Sequence, residues 1–461
     1  MDTDDTDELK ALVLGLDRDT LATVLLELAA DNEPVRQRLQ RLRLAAQPRK
    51  LAAAFRATLS GCRRGTRFID YRGSHAFARE IEAWLEQVDR ELTPADPALA
   101  LELVETLIRS DEALFERADD SDGCIGDALR TACRLWLQTA ARCEPPPGGW
   151  GERVYRLASD DGYGVREALL RHANLLLDET GLRALVARFE GELARSIASD
   201  GNRRDLPTGV FGASGSLHLL SEALRDPEVH VKAVLSYSPA PNPLQKEGFV
   251  EAYLKCGRHS DALRWLDGHW EHHEQARLRL LAEAYAGLGR HEECAQIRKR
   301  LFDATASVYD FREWRDVLAK DARDAAGEHA RQVAEALANP IAAATLLLEL
   351  GDADAAEELL VGRHADLDGR DYPLLVPLAD SLEKSQHRLG ATACYRALLL
   401  AILDRAYARA YGHAASYLGK LRQLAAELPP QHSLESHPAF EAALRAQHPR
   451  KTAFWSRVTA G

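Results

Sequence analysis

Apolar residues recur every three or four positions along most of this chain, which is the spacing of an α-helix. In residues 7–30 they stand at Leu9, Leu12, Val13, Leu16, Leu21, Val24, Leu25 and Leu28. The same spacing occurs at 35–44, 51–59, 76–91, 97–109 and 127–143, and runs of β-branched residues are few. Because alanine and leucine, both strong helix formers, dominate the apolar positions, the pattern predicts an all-α protein.

One short pattern occurs twice within residues 249–301. Ala252-Tyr253 followed by Gly257-Arg258-His259 returns as Ala284-Tyr285 followed by Gly289-Arg290-His291, 32 residues later. A fixed period of this length is typical of stacked helical hairpins. We therefore predict a helical-repeat solenoid with tetratricopeptide-like hairpins in the C-terminal half.

The two glycines define a register that extends along the chain. Counted from Gly257, Gly289 and Gly351, a small residue falls at plus five (Ala262, Cys294, Ala356) and a larger apolar one at plus eight (Trp265, Ile297, Leu359). We expect each glycine to end a helix in the left-handed conformation. A degenerate unit is expected around residues 314–337, and a fourth hairpin around Ser385 with Gly390 at plus five.

Breaks in the pattern suggest three regions. Residues 144–151 contain three Pro and three Gly, and Pro239, Pro241 and Pro243 mark a second break. We expect an N-terminal helical region at 1–143, a middle helical region at 144–247, and repeats with C-terminal capping helices at 248–461. Residues 201–215, which include Gly209, Gly212 and Gly215, are expected to form a loop.

Charge is distributed unevenly in a chain whose net charge is −12. Residues 1–33 contain ten acidic and two basic side chains, whereas residues 36–69 contain ten basic ones and none that is acidic. This tract can bind a polyanion such as nucleic acid, or it can pair with the acidic residues of 1–33. The candidate polyanion-binding residues are Arg36, Arg38, Arg41, Arg43, Arg63, Arg64 and Arg67.

A second candidate polar site is the run that contains Asp119, Asp120 and Asp122. Its spacing fails the EF-hand calcium pattern, because a loop with Gly123 at position six would begin at Ala118. The residues either form an enzyme's carboxylate site or cap the helix that follows. His269, His272 and His273 also form a cluster, which lacks the second histidine of H-E-x-x-H. We therefore expect no catalytic residue, metal or cofactor.

Cysteine usage and the termini indicate the compartment. The seven cysteines include no pair separated by two residues, so neither a zinc ribbon nor a redox pair is predicted. The acidic first ten residues do not resemble a secretory signal, and no apolar run approaches the roughly 18 residues of a membrane span. A cytoplasmic protein is expected.

Several short strings together resemble one bacterial all-helical family of unknown function. They are Phe68-Ile69-Asp70-Tyr71, Arg117 with Asp119-Asp120-Ser121-Asp122-Gly123, Tyr163-Gly164-Val165, His413-Ala414-Ala415 with Tyr417-Leu418, and His448 with Arg450-Lys451 and Phe454-Trp455. Relatives of that family include the helical C-terminal regions of proteins with a SWIM-type zinc finger. This chain lacks the Cys-x-Cys and Cys-x-His pairs of the finger, so the resemblance implies a helical-repeat fold and no known activity.

These features favour a non-enzymatic scaffold that binds a protein partner, because stacked hairpins form extended surfaces. One alternative is a nucleic-acid-associated protein that uses residues 36–67. The other is an enzyme with a carboxylate site near Asp120. No membrane association is expected.

Overall fold

The protein is helical throughout the residues that the computed structural model describes, which are 12–44, 46–65, 67–198, 208–428 and 433–459. Within these ranges there is no β-strand, and the one extended pairing is a parallel bridge between Ile69 and Ala118. The prediction of an all-α helical-repeat protein is confirmed. The chain divides into two compact units, Met1–Gln245 and Lys246–Gly461.

Unit 1 is a succession of short and medium helices. They are α1 (Arg18–Asp31), α2 (Glu33–Leu42), α3 (Pro48–Arg64), α4 (Tyr71–Gln87), α5 (Pro97–Ile108), α6 (Asp111–Arg117), α7 (Cys124–Ala140), α8 (Gly149–Ser159), α9 (Glu167–Arg171), α10 (Glu179–Ala198), α11 (Thr208–Leu224) and α12 (Pro227–Tyr237). A π-helical turn, Val88–Leu92, continues α4.

One core runs through unit 1 from Leu51 to Ala233. Trp136 is fully buried in it, and its ring meets Trp150 edge-on with centroids 5.9 Å apart. Trp150 belongs to the Pro- and Gly-rich residues 144–151. The packing of unit 1 therefore continues across that segment.

Unit 2 begins inside α13 (Pro243–Lys255). The helices that follow are α14 (His259–Leu263), α15 (Glu274–Gly287), α16 (His291–Thr305), α17 (Val308–Val317), α18 (Arg323–Ala336), α19 (Pro340–Glu349), α20 (Ala353–Gly362), α21 (Tyr372–Lys384), α22 (Arg388–Asp404), α23 (Tyr411–Glu427), α24 (His437–Gln447) and α25 (Thr452–Thr459). Its main core runs from Phe302 to Phe454, and α24 and α25 contribute Phe440, Leu444 and Phe454 to it.

One recurring turn ends the first helix of successive hairpins in unit 2. Gly257, Gly289 and Gly351 have φ angles of +71°, +70° and +79°. The amide after each glycine donates to a carbonyl four residues before that glycine: Arg258 to Tyr253 at 2.9 Å, Arg290 to Tyr285 at 2.9 Å, and Asp352 to Leu347 at 3.0 Å. This is the Schellman arrangement. The predicted left-handed helix ends are therefore confirmed.

Side chains around the turns repeat as well. The residues at plus five, Ala262, Cys294 and Ala356, are almost fully buried, which lets the second helix of each hairpin approach closely. The guanidinium of Arg258 lies 5.0 Å from the ring centroid of Tyr253. Arg290 lies 4.5 Å from that of Tyr285, so the arginine–tyrosine contact repeats one period apart, although Tyr253 is buried and Tyr285 is half-buried.

The fourth turn lies one residue later than the sequence register places it. Its left-handed residue is Gln386, with φ +69°, and the His387 amide donates to the Leu382 carbonyl at 2.8 Å. Position plus five is therefore the buried Ala391 and not Gly390. Gly390 instead allows α22 to approach α20 closely, because a Cβ there would lie 3.3 Å from the Cα of Glu357.

The degenerate unit between Gly289 and Gly351 consists of α17 and α18. Its connection has no left-handed residue: Leu318 and Ala319 are extended, with ψ angles of 145° and 150°. The sequence pattern is weak here because the turn that produces it is replaced by a different one.

The Gly-rich loop expected at 201–215 is wrong for its second half, while residues 201–207 lie outside the described residues. Residues Thr208–Leu224 form α11, which contains all three glycines. Val210, Leu217 and Leu220 on this helix are fully buried. Burying such a side chain contributes about 1.5–3 kcal/mol, whereas each glycine costs the helix about 1 kcal/mol, so burial prevails.

Replacing Gln386 by Gly is expected to stabilise unit 2 by about 1 kcal/mol, because a side chain in the left-handed region costs about 1–2 kcal/mol. The reverse change at an equivalent turn, Gly351→Gln, should destabilise the unit by a similar amount. Urea unfolding at neutral pH measures both. Two shifts of the same sign would show that the turn conformation does not govern these positions.

Candidate protein-binding groove

A groove opens near the end of unit 2 between α21, α22 and α23. It has a volume of about 620 Å³, and we call it the tyrosine groove. Its aromatic lining is Tyr372, Tyr407, His413 and Tyr417, its apolar lining includes Pro373, Val376, Pro377, Leu398 and Ile402, and its charged lining is Arg370 and Arg405. Two of these residues, His413 and Tyr417, belong to the strings on which the sequence resemblance was based.

Two tyrosines at this groove face solvent. Tyr372 keeps 64% of its surface exposed and Tyr407 keeps 52%. Tyr407 is positioned by another left-handed turn, since Ala406 has φ +53° and the Tyr407 amide donates to the Ile402 carbonyl at 3.2 Å. Exposed tyrosines beside an apolar groove are typical of protein-binding surfaces.

Two prolines shape the α21 wall. Pro373 stands in the first turn of the helix and Pro377 stands inside it. Proline has no amide hydrogen, so position 377 supplies no donor to the carbonyl of Pro373 four residues earlier.

Gly369 brings the loop before α21 directly onto α22. A Cβ at this position would lie 2.0 Å from the carbonyl oxygen of Ala397 and 2.7 Å from the Cβ of Ala401. The loop separates the tyrosine groove from a second cavity of about 840 Å³, which we call the Arg396 cavity. Gly369, Arg370, Ala401 and Arg405 line both.

Arg396 lies in the second cavity with an incompletely bonded guanidinium. The group lies 4.4 Å from the ring centroid of Phe440, and Nη2 donates to the Glu435 carbonyl at 2.7 Å. Its Nε is buried and has no hydrogen-bond partner among the described residues. Burial lowers the pKa of Arg396. An anionic group that entered this cavity would offset part of the cost of burying the guanidinium.

Arg370 and Arg405, which line both cavities, differ in their contacts with carboxylates. Arg370 donates to Asp368 at 2.8 Å, and this hydrogen bond lowers the pKa of Asp368 to about 2. Arg405 makes no ion pair within the described ranges, although its charge also contributes to the lowered pKa of Asp368. Its guanidinium is therefore the groove cation that has no direct carboxylate contact.

A polar network supports the groove from behind. The ring of Tyr395 stacks on Tyr417 with centroids 5.8 Å apart, and its hydroxyl is 2.7 Å from carboxylate oxygens of Asp380 and Glu383. Lys420 Nζ donates to both carboxylates at 2.9 Å. Hydrogen bonds from Tyr395, and then from Lys420, lower the pKa of each carboxyl group.

Replacing Tyr395 by Phe is expected to destabilise unit 2 by about 1 kcal/mol at neutral pH, because two carboxylates lose a shared donor. Since both carboxyl pKa values are lowered by folding, the network stabilises the protein above about pH 4, and this contribution is lost as the pH falls through the lowered values. The difference between wild type and variant in urea midpoint should therefore shrink in acid. Tyr309→Phe, a change at an exposed tyrosine of α17, is the control.

The candidate polyanion-binding residues divide into paired and unpaired groups. Arg36 pairs with Glu33 at 3.0 Å, Arg41 with Glu91 at 2.8 Å, Arg38 with Glu91 at 4.0 Å, and Arg56 of the same tract with Glu102 at 3.0 Å. Glu33 is the one acidic residue described between 12 and 33 that pairs with this tract. Arg38, Arg41 and Arg56 pair instead with Glu91 and Glu102, farther along the chain. Arg43, Arg49, Lys50, Arg63, Arg64 and Arg67 make no ion pair within the described part of the chain.

The three aspartates of the candidate polar site have separate local partners. Asp120 accepts the amides of Ile125 and Gly126 at 2.7 and 3.0 Å and thus caps α7. Asp119 accepts the Ser121 amide at 3.1 Å, and Asp122 is 3.0 Å from His75 Nε2. These carboxylates bind backbone and neighbouring side chains and do not converge on a common point.

The histidine cluster is dispersed on the surface. His269, His272 and His273 are all exposed, and His269 Nδ1 lies 3.1 Å from Glu274. Within the described residues, no group of three or more His, Cys, Asp or Glu side chains could hold a metal ion. No helix of the same residues is both long enough and apolar enough to cross a membrane.

The fold and the groove define a helical-repeat protein with an aromatic, cationic groove. The chain belongs to a family of unknown function, DUF6880, whose model matches residues 7–227 and 248–457. The resemblance to a family of unknown function is thereby confirmed. The stretch between the matched segments, 228–247, contains the boundary between the two units at Gln245.

No curated protein matches the chain. A solved structure described as a circular tandem repeat protein with novel repeat topology and enhanced subunit contact surfaces is 14% identical, and the match covers 95% of this chain and 91% of that one. The TM-score is 0.21, at which the likeness supports no argument about this chain.

Proposed function

We propose that this protein is a non-enzymatic helical-repeat scaffold that binds an extended segment of a partner protein in the tyrosine groove. The proposal rests on one observation, the position of the exposed Tyr372 and Tyr407 beside the unpaired Arg405. Tyrosine and arginine contribute a large share of the energy at protein interfaces. Stacked hairpins supply such surfaces and need no converging reactive groups.

The lining of the groove favours a particular partner chemistry. Tyrosine and proline walls suit a proline-containing extended segment, because polyproline helices bind in aromatic grooves with little loss of entropy. The guanidinium of Arg405 favours a carboxylate next to the apolar residues. The ligand is therefore proposed to be an extended peptide with proline or aromatic residues followed by an acidic one.

Selection from a random peptide library displayed on phage, with the full-length protein as bait, tests the proposal. The selected peptides should share this chemistry. Tyr372→Ala and Tyr407→Ala should each weaken a selected peptide by about tenfold or more, and Arg405→Glu should weaken acidic peptides selectively.

Tyr309→Ala provides the matched control, because Tyr309 is 60% exposed and does not line the groove. Its affinity for the selected peptides should equal that of the wild type. A selection without a shared motif, or groove variants that bind as the control does, would contradict the proposal. Tetratricopeptide-like repeats, kinship with SWIM-finger proteins, a bacterial origin and a cytoplasmic location stay predictions.

A further inference from the structure

The N-terminal hairpin, formed by α1 and α2 together with residues 12–17 before them, leaves many large apolar side chains in solvent. Between residues 12 and 28, eight aliphatic side chains are at least 36% exposed: Leu12, Val13, Leu14, Leu16, Val24, Leu25, Leu26 and Leu28. We call them the leucine face. Within α1 only Ala29 is buried. A helix with apolar residues on most of its sides is normally covered by other protein.

The leucine face is accompanied by charges of both signs. Asp19, Glu27 and Asp31 on α1 are exposed and make no ion pair in the described ranges. Arg43, Arg49 and Lys50, where α2 ends and α3 begins, are also exposed and unpaired there. Acidic and basic groups of the same region thus make no ion pair with each other among the described residues of one copy.

We propose that the leucine face is covered by a second copy of this chain related by a two-fold axis. In this arrangement the acidic α1 of each copy lies against the basic residues 43–50 of the other. A two-fold interface must be self-complementary, and one hairpin that carries both signs satisfies this requirement. A separate partner would need only one of the two charged sets.

Residues 1–11 offer few apolar side chains that could cover the leucine face. Residues 1–11 contain Met1 and Leu9 as their only large apolar side chains, against eight in the leucine face. The leucine face lies in unit 1 and shares no residue with the tyrosine groove.

Sedimentation equilibrium of the full-length chain over a series of concentrations tests the inference. The wild type should reach twice the chain mass of 51.0 kDa. In the variant L14E/L26E, each copy carries two negative charges on its leucine face, which would meet the same charges of the other copy. This variant should associate at least about tenfold more weakly than the wild type. Leu374→Glu, at a leucine of unit 2 that is 56% exposed, should remain dimeric.

A charge-exchange pair identifies the second copy as the occupant. E27K/D31K and R43E/R49E/K50E should each be monomeric, because either change places like charges across both contacts. An equimolar mixture restores opposite charges at both contacts and should form a heterodimer, which also shows that the variants are folded. High salt should weaken these differences.

Three outcomes would overturn the inference. One is a wild type that stays monomeric at every concentration. Another is a mixture of the charge variants that stays monomeric. The third is R43E/R49E/K50E that remains dimeric but loses binding to a fluorescent oligonucleotide, which would assign these basic residues to nucleic acid.

Discussion

Replacing Asp111 by Ala is expected to destabilise unit 1 by about 3–5 kcal/mol, because it leaves a buried guanidinium without its main partner. Arg166 donates Nε and Nη2 to the two oxygens of Asp111, each at 2.8 Å. The side chains are only 5% and 3% exposed. The other carboxylate paired with the Arg166 guanidinium, that of Asp160, is 3.2 Å away and 70% exposed. It cannot replace a buried bidentate partner.

Urea unfolding of the variant measures this effect, and an exposed pair provides the matched control. Arg56 and Glu102 are 3.0 Å apart with side chains 47% and 61% exposed, so Arg56→Met should cost at most about 1 kcal/mol. The double variant D111A/R166M should be less destabilised than D111A, since it removes the unpaired charge. If D111A and R56M lowered the free energy of unfolding by the same amount, burial would not strengthen the Asp111–Arg166 pair.

Replacing Gly369 by Ala is expected to destabilise unit 2 by about 3 kcal/mol, the upper end of the usual range for overpacking. The added Cβ would lie 2.0 Å from the Ala397 carbonyl oxygen. This atom is part of the α22 backbone and cannot move away by a change of rotamer. The loop must shift, and it carries Arg370 and one edge of the tyrosine groove.

Gly362→Ala is the control for this second prediction. A Cβ at Gly362, the last residue of α20, meets no atom within 4 Å, so stability should stay level or rise slightly. Thermal or urea unfolding compares the two variants. Any peptide selected for the groove should also bind Gly369→Ala more weakly and Gly362→Ala normally. Equal stability of both variants would mean that the loop tolerates a side chain at 369.

The repeats could be predicted from sequence because their cause is local. A left-handed helix end favours glycine, and the close approach of the next helix favours a small residue five positions later. Gly257 and Gly289 therefore appear as a spacing without any knowledge of tertiary contacts. At the fourth turn Gln386 adopts the same conformation, and a register based on glycine is displaced by one residue.

Helix α11 shows the opposite case. Its three glycines predict a loop, and the structure has a helix, because Val210, Leu217 and Leu220 are buried by other helices. That stabilisation comes from tertiary packing, which local propensity does not contain.

The charge partners and the groove could not be found from sequence for the same reason. Arg41 and Glu91 are 50 residues apart, so acidic residues nearer in the chain are the more obvious choice. Tyr372 and Tyr407 also have no common spacing, and only the packing of α21, α22 and α23 brings them to one surface. Of the groove residues, His413 and Tyr417 were marked by the sequence resemblance.

The recurring left-handed turn bears on how such a chain can grow. A segment that extends from one turn to the next, such as residues 258–289, starts and stops at equivalent points of the hairpin. A tandem duplication of this segment would place the same arginine, tyrosine and small residue beside each new junction, and each repeat contacts mainly its neighbours. Duplication of gene segments that encode whole repeats could thus lengthen unit 2 and keep its packing. Insertions of other lengths would interrupt the packing.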